Sequence, residues 1–320
     1  MPLSVHHDTR PAVAVATCPE ARGVDEDASL LLAALAAAGV DPSQQDWADP
    51  EVSWADFDLV VIRSTWDYAP RRDEFVAWAR RVGAVTRLAN PAPVIEWNTD
   101  KHYLADLAAD RIDVVPTTFV EPGEHSGVDD VAARIAAAVP GDTGFVVKPA
   151  VSAGSKDTFR HPAPHSDPAT IHRAAAQTLA ILDSGRSVML QPYLDTVDDV
   201  GETGLVFFGG AFSHAFRKGP MLHVGADAVD GLYAPEEIEP REPTEEQLAV
   251  ASQTIDVTRR RCGTDLLYAR VDLLDDADGR PVVLELELTE PSFFLTTDPG
   301  AASSAAAAIV AAATTAAAGR

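Results

Sequence analysis

The chain is poor in positive charge. Lys and Arg together number 25 against 49 Asp and Glu, a formal net charge of −24 over 320 residues. Such a surface repels nucleic acid and anionic membrane, so neither is expected as a partner. An anionic ligand must then be met by a local basic pocket, and the few cations near acidic or glycine-rich stretches become informative. Cysteine is scarcer still. Cys18 and Cys262 show no metal-ligand spacing, and no disulfide framework is indicated. The histidines form no HExxH pattern, which disfavours a zinc hydrolase. No Walker A loop and no GxGxxG occur, so neither a P-loop nor a dinucleotide Rossmann site is supported. Residues 1–10 carry no charged start with an apolar core, so no signal peptide is indicated. The tail 301–318 is mostly alanine, with Ser303, Ser304, Thr314 and Thr315 inside it. Alanine favours helix with little hydrophobic drive, so a packed helix is expected there and not a membrane span. A cytoplasmic enzyme is the expectation.

What remains is a globular chain, 46% hydrophobic and 23% charged, long enough for two or three modules. Residues 11–17 (PAVAVAT) read as a strand, 27–38 as a helix stopped by Gly39, and 57–63 (FDLVVIR) as a buried parallel strand. A helix over 73–82 and a strand over 84–89 complete an open α/β pattern. Ligands gather beyond the carboxyl ends of such strands. That end carries Arg63, Ser64, Thr65, Trp66, Asp67 and Tyr68, a set suited to holding a small zwitterion. Asn90-Pro91-Ala92-Pro93 punctuates the chain, and a helix follows from Thr99. Strands at 114–120 and 145–149 flank a helix at 129–139, and the second strand ends on Lys148. The next stretch, 151–158, is rich in small residues that let backbone N–H groups approach an anion. A helix over 168–183, a strand over 188–194 and an acidic connector over 195–202 follow. Gly209-Gly210 signals a hairpin, and 244–261 is a helix with a near capping box of Thr244 and Gln247.

The last hairpin carries the most chemistry. Residues 266–274 and 281–288 read as antiparallel strands across an acidic turn at 275–280. Alternation puts Glu285 and Glu287 on one face, and pairing brings Asp272 beside them. Three facing carboxylates repel in a low-dielectric cleft unless a cation separates them, and hard oxygen donors suit Mg²⁺.

In this order the pieces resemble the ATP-grasp ligase superfamily over essentially the whole chain. RSTWDY, NTDKHYL, QPYL, LVFFGGAFSHAFRKGP and ELELTEP resemble the ligases of D-cycloserine biosynthesis. The resemblance implies an ATP-grasp fold: an N-terminal open α/β domain over 1–93, a central lid subdomain over 94–192 and a C-terminal subdomain over 193–320. It implies ATP and Mg²⁺ as cofactors and an amino-acid-like small molecule as substrate. Lys101 and Lys148 are similar to the phosphate-contacting lysines. Ser152, Gly154, Ser155 and Lys156 resemble the mobile loop over the γ-phosphate. Gln191, Tyr193 and Leu194 match the adenine hinge. Glu202 resembles the ribose contact, with Asp198 as its competitor. Arg217 and Arg270 look like phosphate or acyl-phosphate contacts, with Lys148 beside them in the catalytic set. Asp272, Glu285 and Glu287 match the metal ligands, although the superfamily usually ends this motif as Glu-x-Asn. Arg63, Ser64, Thr65, Trp66, Asp67 and Glu290 fall on the substrate side.

The reaction so implied is phosphorylation of a carboxylate to an acyl-phosphate, followed by C–N bond formation. Three activities are compatible with it: a cyclo-ligase closing O-ureido-serine to D-cycloserine, an intermolecular carboxylate–amine ligase, and a non-catalytic nucleotide-binding protein. Ligases of this type are often dimers, but no stripe in the sequence identifies an interface.

Overall fold

The computed structural model describes residues 10–167, 169–225 and 236–318. The expectations at 1–9 and at Pro168 fall outside them. Strand β1 (Ala12–Thr17) sends Val13 and Val15 to one face and Ala14 and Ala16 to the other, and both faces are buried. Helix α1 (Ala28–Ala37), β2 (Asp41–Asp46), β3 (Leu59–Ser64), α2 (Arg72–Val85) and β4 (Arg87–Ala89) complete a parallel sheet in the order β2-β1-β3-β4. Strand β2 reads DPSQQD and has no strand-forming side chains. It is an edge strand held by backbone pairing to β1 from Ala12↔Asp41 to Thr17↔Asp46.

The proline-rich stretch is not a break. Helix α3 (Ala92–Asn98) begins there, with Pro93 in the first turn, where a missing N–H loses nothing. A turn holding Lys101 then leads to α4 (Tyr103–Ala109), so the helix expected from Thr99 begins only at Tyr103. Residues Val94, Tyr103, Leu104 and Leu107 pack with Leu205, Phe207 and Val271 of the C-terminal sheet.

The central sheet has the order β5-β8-β6-β7 and is antiparallel. Its elements are β5 (Thr118–Val120), α5 (Val128–Ala138), β6 (Phe145–Pro149), β7 (Phe159–His161), α6 (Thr170–Asp183) and β8 (Val188–Pro192). Both helices cover one face through Val131, Ile135 and Ala174 against Phe145, Val147 and Leu190. Strand β5 is shorter than expected, and Val114 bridges instead to Val283 of the last sheet. The small-residue loop joins β6 to β7, with Gly154, Ser155 and Asp157 all in the left-handed region.

The acidic stretch expected as a connector forms a helical turn, α7 (Thr196–Val200). Then follow β9 (Glu202–Phe208), β10 (Ala211–Lys218), β11 (Ile238–Pro240), α8 (Glu245–Cys262), β12 (Tyr268–Asp275), β13 (Pro281–Glu287) and α9 (Ala301–Ala318). The sheet order is β11-β10-β9-β12-β13. The capping box of α8 is present: the Gln247 N–H donates to Thr244 Oγ1 at 3.1 Å and the Thr244 N–H to Gln247 Oε1 at 3.0 Å. Helix α9 packs Ala305, Ile309 and Ala313 into a core shared by Val13, Leu31, Leu59, Val206 and Phe293, so the first and last sheets are bonded through one apolar cluster. Among the described residues no helix is long and apolar enough to cross a membrane.

Strand β13 is an edge strand, yet its outer backbone is paired. The Leu286 N–H donates to Tyr103 Oη at 3.0 Å and the Leu288 N–H to Asn98 Oδ1 at 2.7 Å, while Asn98 Nδ2 donates to Leu286 O at 2.7 Å. Asn90 ties the first unit to the hairpin. Its Nδ2 donates to Tyr268 O at 3.0 Å and Leu288 O at 2.8 Å, and its Oδ1 accepts from the Leu267 N–H at 2.8 Å. Asn90→Ala strips partners from two buried carbonyls and one half-buried N–H. It is expected to cost about 1–3 kcal/mol in urea unfolding, whereas an unchanged midpoint would show that water replaces the side chain.

Candidate active site

A cleft of about 790 Å³ is lined by residues of all three sheets and their connections. The central unit supplies Lys148 from β6, Ser152, Gly154 and Ser155 from the loop, and Gln191, Tyr193 and Leu194 from the end of β8. The C-terminal unit supplies Glu202, Lys218, Arg270, Glu285, Glu287 and Glu290, and the N-terminal unit Asp25, Asp27, Trp66 and Tyr68. Lys101 enters from the α3–α4 turn.

The register of the last hairpin fixes its charge pattern. Arg270 stands opposite Glu287, and Asp272 opposite Glu285. All four therefore share one sheet face. Arg270 grips Asp272 through Nε (2.8 Å) and Nη2 (2.7 Å), and Nη2 also bonds Glu287. Lys101 Nζ meets Glu285 Oε1 at 3.0 Å and donates to Ser152 O at 2.8 Å. The acids are thus already interleaved with cations. Among the described residues, Asp272, Glu285 and Glu287 do not bring three oxygens close enough to share one ion as they stand. Asp272 lies beneath Arg270, 1% exposed. A Cβ at Gly204, opposite Asp272 on β9, would lie 2.2 Å from the Phe216 ring; that ring in turn has Arg270 over it at 5.9 Å.

The pattern splits the titration of neighbours. Burial opposes ionisation of Glu285, but Lys101, Lys148 and Arg270 outweigh it and pull its carboxyl down to about 2. Burial raises Glu287 to about 8; Arg270 resists this, while Asp272, Glu285 and Glu290 add to it. Burial raises Glu202 to about 7 against the pull of Lys218 at 3.0 Å. Asp272, Glu285 and Glu287 place carboxylate oxygens on one sheet face, a donor set of the kind a hard divalent cation takes.

Lys148 is the exception among the buried cations. It is 8% exposed, and no salt bridge or hydrogen bond reaches its ammonium among the described residues. Burial lowers its pKa, and repulsion from Lys101 and Lys218 offsets part of the help from Glu285. An unpaired buried ammonium facing a cleft is a position for an anion.

Near the N-terminus, residues 13–90 match the family model of the D-cycloserine synthetase DcsG N-terminal domain. The cycloserine biosynthesis protein DcsG of Streptomyces lavendulae is 42% identical over 282 residues, 85% of this chain and 89% of that protein. The chain belongs to the D-cycloserine synthetase (DcsG) family of ATP-grasp ligases. The crystal structure of D-cycloserine synthetase DcsG superposes on this family member with a TM-score of 0.85 at 38% identity, covering 94% of this chain and 99% of that one. The D-alanine–D-alanine ligase of Bacillus anthracis complexed with ATP shares the fold, with a TM-score of 0.65 at 13% identity over 95% of this chain and 98% of that one. The expected mixed α/β ATP-grasp fold is therefore present, and this DcsG-family chain is a carbon–nitrogen ligase.

Several expected site residues stand elsewhere. Arg63 is fully buried, pairing with Asp25 at 3.1 Å and with Asp27 at 2.5 Å and donating to Pro291 O. It is a strut and does not reach a ligand. Ser64 bonds Thr17 across the sheet at 2.8 Å, and Thr65 is wholly buried. Asp67 accepts from Trp47 Nε1 at 2.8 Å and pairs with Arg71, away from the cleft lining. Strand alternation and the apolar packing of the 63–67 corner turn these polar groups inward, leaving Trp66 and Tyr68 at the cleft. Arg217 is also outside the lining, tied to Val200 O and Glu239; its neighbour Lys218 faces inward instead. Lys156 is exposed and outside the lining. Asp198 is held by Tyr193 and Arg160, so Glu202 is the acid at the cleft. The Tyr193 N–H is already donated to Gly144 O at 2.7 Å.

Asp25, Asp27 and Lys218 line the cleft without having been expected there. Lys218 had a signal: the chain has only Lys101, Lys148, Lys156 and Lys218 as lysines, and three of them line the cleft. Asp27 had none, because its carboxylate caps the N–H groups of Phe293, Phe294 and Leu295, remote in sequence. Arg63→Met leaves Asp25 and Asp27 buried without their cation. A loss of about 3–5 kcal/mol in denaturant unfolding is expected, and an Arg63→Met enzyme of full stability with only a raised KM would restore Arg63 to the substrate set.

Proposed function

We propose that the chain phosphorylates the carboxylate of O-ureido-serine, or a close analogue, and closes the resulting acyl-phosphate on the substrate's own nitrogen to give D-cycloserine. The observation that carries this reading is Lys148, an unpaired buried cation in the same cleft as the acidic face of the last hairpin. The similarity to DcsG supports the choice of product.

Lys101 and Lys148 would hold the nucleotide phosphates, and the loop 152–156 would close over them and keep water from the acyl-phosphate. Gln191, Tyr193 and Leu194 would receive adenine, and Glu202 the ribose. Asp272, Glu285 and Glu287 would hold Mg²⁺, which when bound neutralises phosphate charge and polarises the transferring group. Arg270 then becomes available: a guanidinium released by Asp272 and Glu287 would turn to the transferring phosphoryl group or the acyl-phosphate.

In the first half-reaction the bond from the γ-phosphorus to ADP breaks and one to the carboxylate oxygen forms. In the second the oxygen-bound nitrogen attacks the acyl carbon, the C–N bond forms, the nitrogen loses its proton and phosphate leaves. Water then cleaves the carbamoyl group of O-ureido-serine from that nitrogen as carbamate, which falls to carbon dioxide and ammonia and frees the ring N–H of D-cycloserine. Confining nucleophile and electrophile in one molecule gives effective concentrations on the order of 10⁵–10⁸ M when they are well oriented. Trp66, Tyr68 and Glu290 line the part of the cleft left for such a small substrate.

Asp272→Asn is expected to lower substrate-dependent ADP release at least ~100-fold with an unchanged far-ultraviolet circular dichroism spectrum. Full turnover in that variant would refute the metal assignment. In the wild type, ADP release screened over O-ureido-serine, aminooxy acids and plain amino acids should respond to O-ureido-serine, with one cyclic product per ADP by mass analysis. Release that needs a second amine would replace cyclisation by an intermolecular ligation.

A further inference from the structure

The part of the cleft formed by Glu290 and Tyr68 deepens the cyclising reading and rests on it. The main chain at Glu290 is fixed from several sides. Trp66 Nε1 donates to Glu290 O at 3.3 Å, Arg63 donates to Pro291 O, and Asp27 accepts the N–H groups of Phe293, Phe294 and Leu295. A short rigid segment thus carries one carboxyl into the cleft. The Tyr68 ring is packed on Phe75 with centroids 5.1 Å apart, inside an aromatic cluster with Trp47 and Trp78. Its hydroxyl stands beside the Glu290 carboxyl.

Other buried acids of the cleft are engaged. Glu202 is paired with Lys218, Glu285 with Lys101, Glu287 with Arg270, and Asp25 and Asp27 with Arg63. Among the described residues Glu290 holds no salt bridge, so one carboxyl at the substrate end is left to exchange a proton.

We propose that Glu290 is the general base of the second half-reaction, with Tyr68 as its positioning residue. The nucleophile is then a nitrogen that must shed a proton on attack, of amide or aminooxy type. As the C–N bond forms and the C–O bond to phosphate breaks, the N–H proton passes to the Glu290 carboxylate and phosphate leaves with the bonding pair. The carboxyl returns the proton to solvent once the cleft opens. Tyr68 keeps its own proton, because burial and the nearby Glu290, Glu285 and Glu287 all disfavour the phenolate. It therefore acts only as a donor, holding one carboxylate oxygen and leaving the other free.

The surroundings suit the task. Burial lifts the Glu290 carboxyl to about 7, Lys101 and Arg270 restrain it, Glu285 pushes it up and Tyr68 pulls it down. Glu287 on β13 and Tyr268 on β12 are the other titratable groups that sense it. A base that titrates near the working pH has both a useful ionised fraction and a useful basicity.

The test is partition of the acyl-phosphate in the Mg²⁺·ATP-supplied full-length enzyme with O-ureido-serine and hydroxylamine. Hydroxylamine is unprotonated at neutral pH and attacks without help from the enzyme's base. In Glu290→Gln the ratio of trapped hydroxamate to cyclic product should rise by about 100-fold or more, and the rise of cyclisation with pH through about 7 should flatten. Glu290→Asp should recover part of that pH dependence. Tyr68→Phe should slow cyclisation about fivefold and move its inflection to higher pH, since the lowering influence of the hydroxyl is gone. If Glu290→Gln loses hydroxamate and cyclic product in equal proportion, or the Tyr68→Phe inflection stays in place, the base assignment is overturned and the cyclising reading survives. A wild-type enzyme that gives neither hydroxamate nor ring from O-ureido-serine overturns both.

Discussion

Everything in the cleft depends on how like charges are kept apart on two rungs of the β12–β13 ladder. Asp272 and Glu285 face each other, with Glu287 one rung away, and such a cluster is unstable in a poorly hydrated site. Arg270 and Lys101 resolve the conflict by lying between the acids. This makes the floor of the cleft a stored ion pairing. Carboxylates of a kind that suits a cation, and cations of a kind that suits phosphate, neutralise one another there. Lys148 stays unpaired in the same cleft among the described residues.

That floor is positioned by polar side chains as much as by apolar packing. Asn98 and Tyr103 stand in for a missing neighbour strand along β13, and Asn90 fastens the first unit to the same hairpin. Arg63, Asp25 and Asp27 hold the segment from Pro291 to Leu295. Breaking any of these leaves buried groups without partners, which is why they can specify one geometry at a site where small displacements matter. The shared core of α9 with both outer sheets makes the N-terminal unit part of the floor. The central sheet keeps its own core, with Val131, Phe145 and Leu190 at its centre.

Much of this was legible in the sequence. The alternation of 281–288 put Glu285 and Glu287 on one face, and the register does bring Asp272 opposite Glu285. The cap of α8 and the Gly209-Gly210 turn were readable because their signals are local. Strand β2 was not, since DPSQQD owes its conformation to an edge position beside β1. Helix α3 was hidden because prolines that start a helix look the same as prolines that end one. The substrate side misled for a related reason. Arg63, Ser64, Thr65 and Asp67 have the right chemistry for a ligand, but their partners are Asp25, Asp27, Thr17 and Trp47, brought near only by the fold.

The most direct test of the stored-pairing account is calorimetry of ATP binding with Mg²⁺ and with a chelator, in the wild type and in Glu285→Gln. The account predicts that Mg²⁺ tightens ATP binding by at least roughly tenfold, about 1.4 kcal/mol, and that most of this gain disappears in the variant. Equal affinity with and without Mg²⁺ in the wild type, or an undiminished gain in Glu285→Gln, would contradict it.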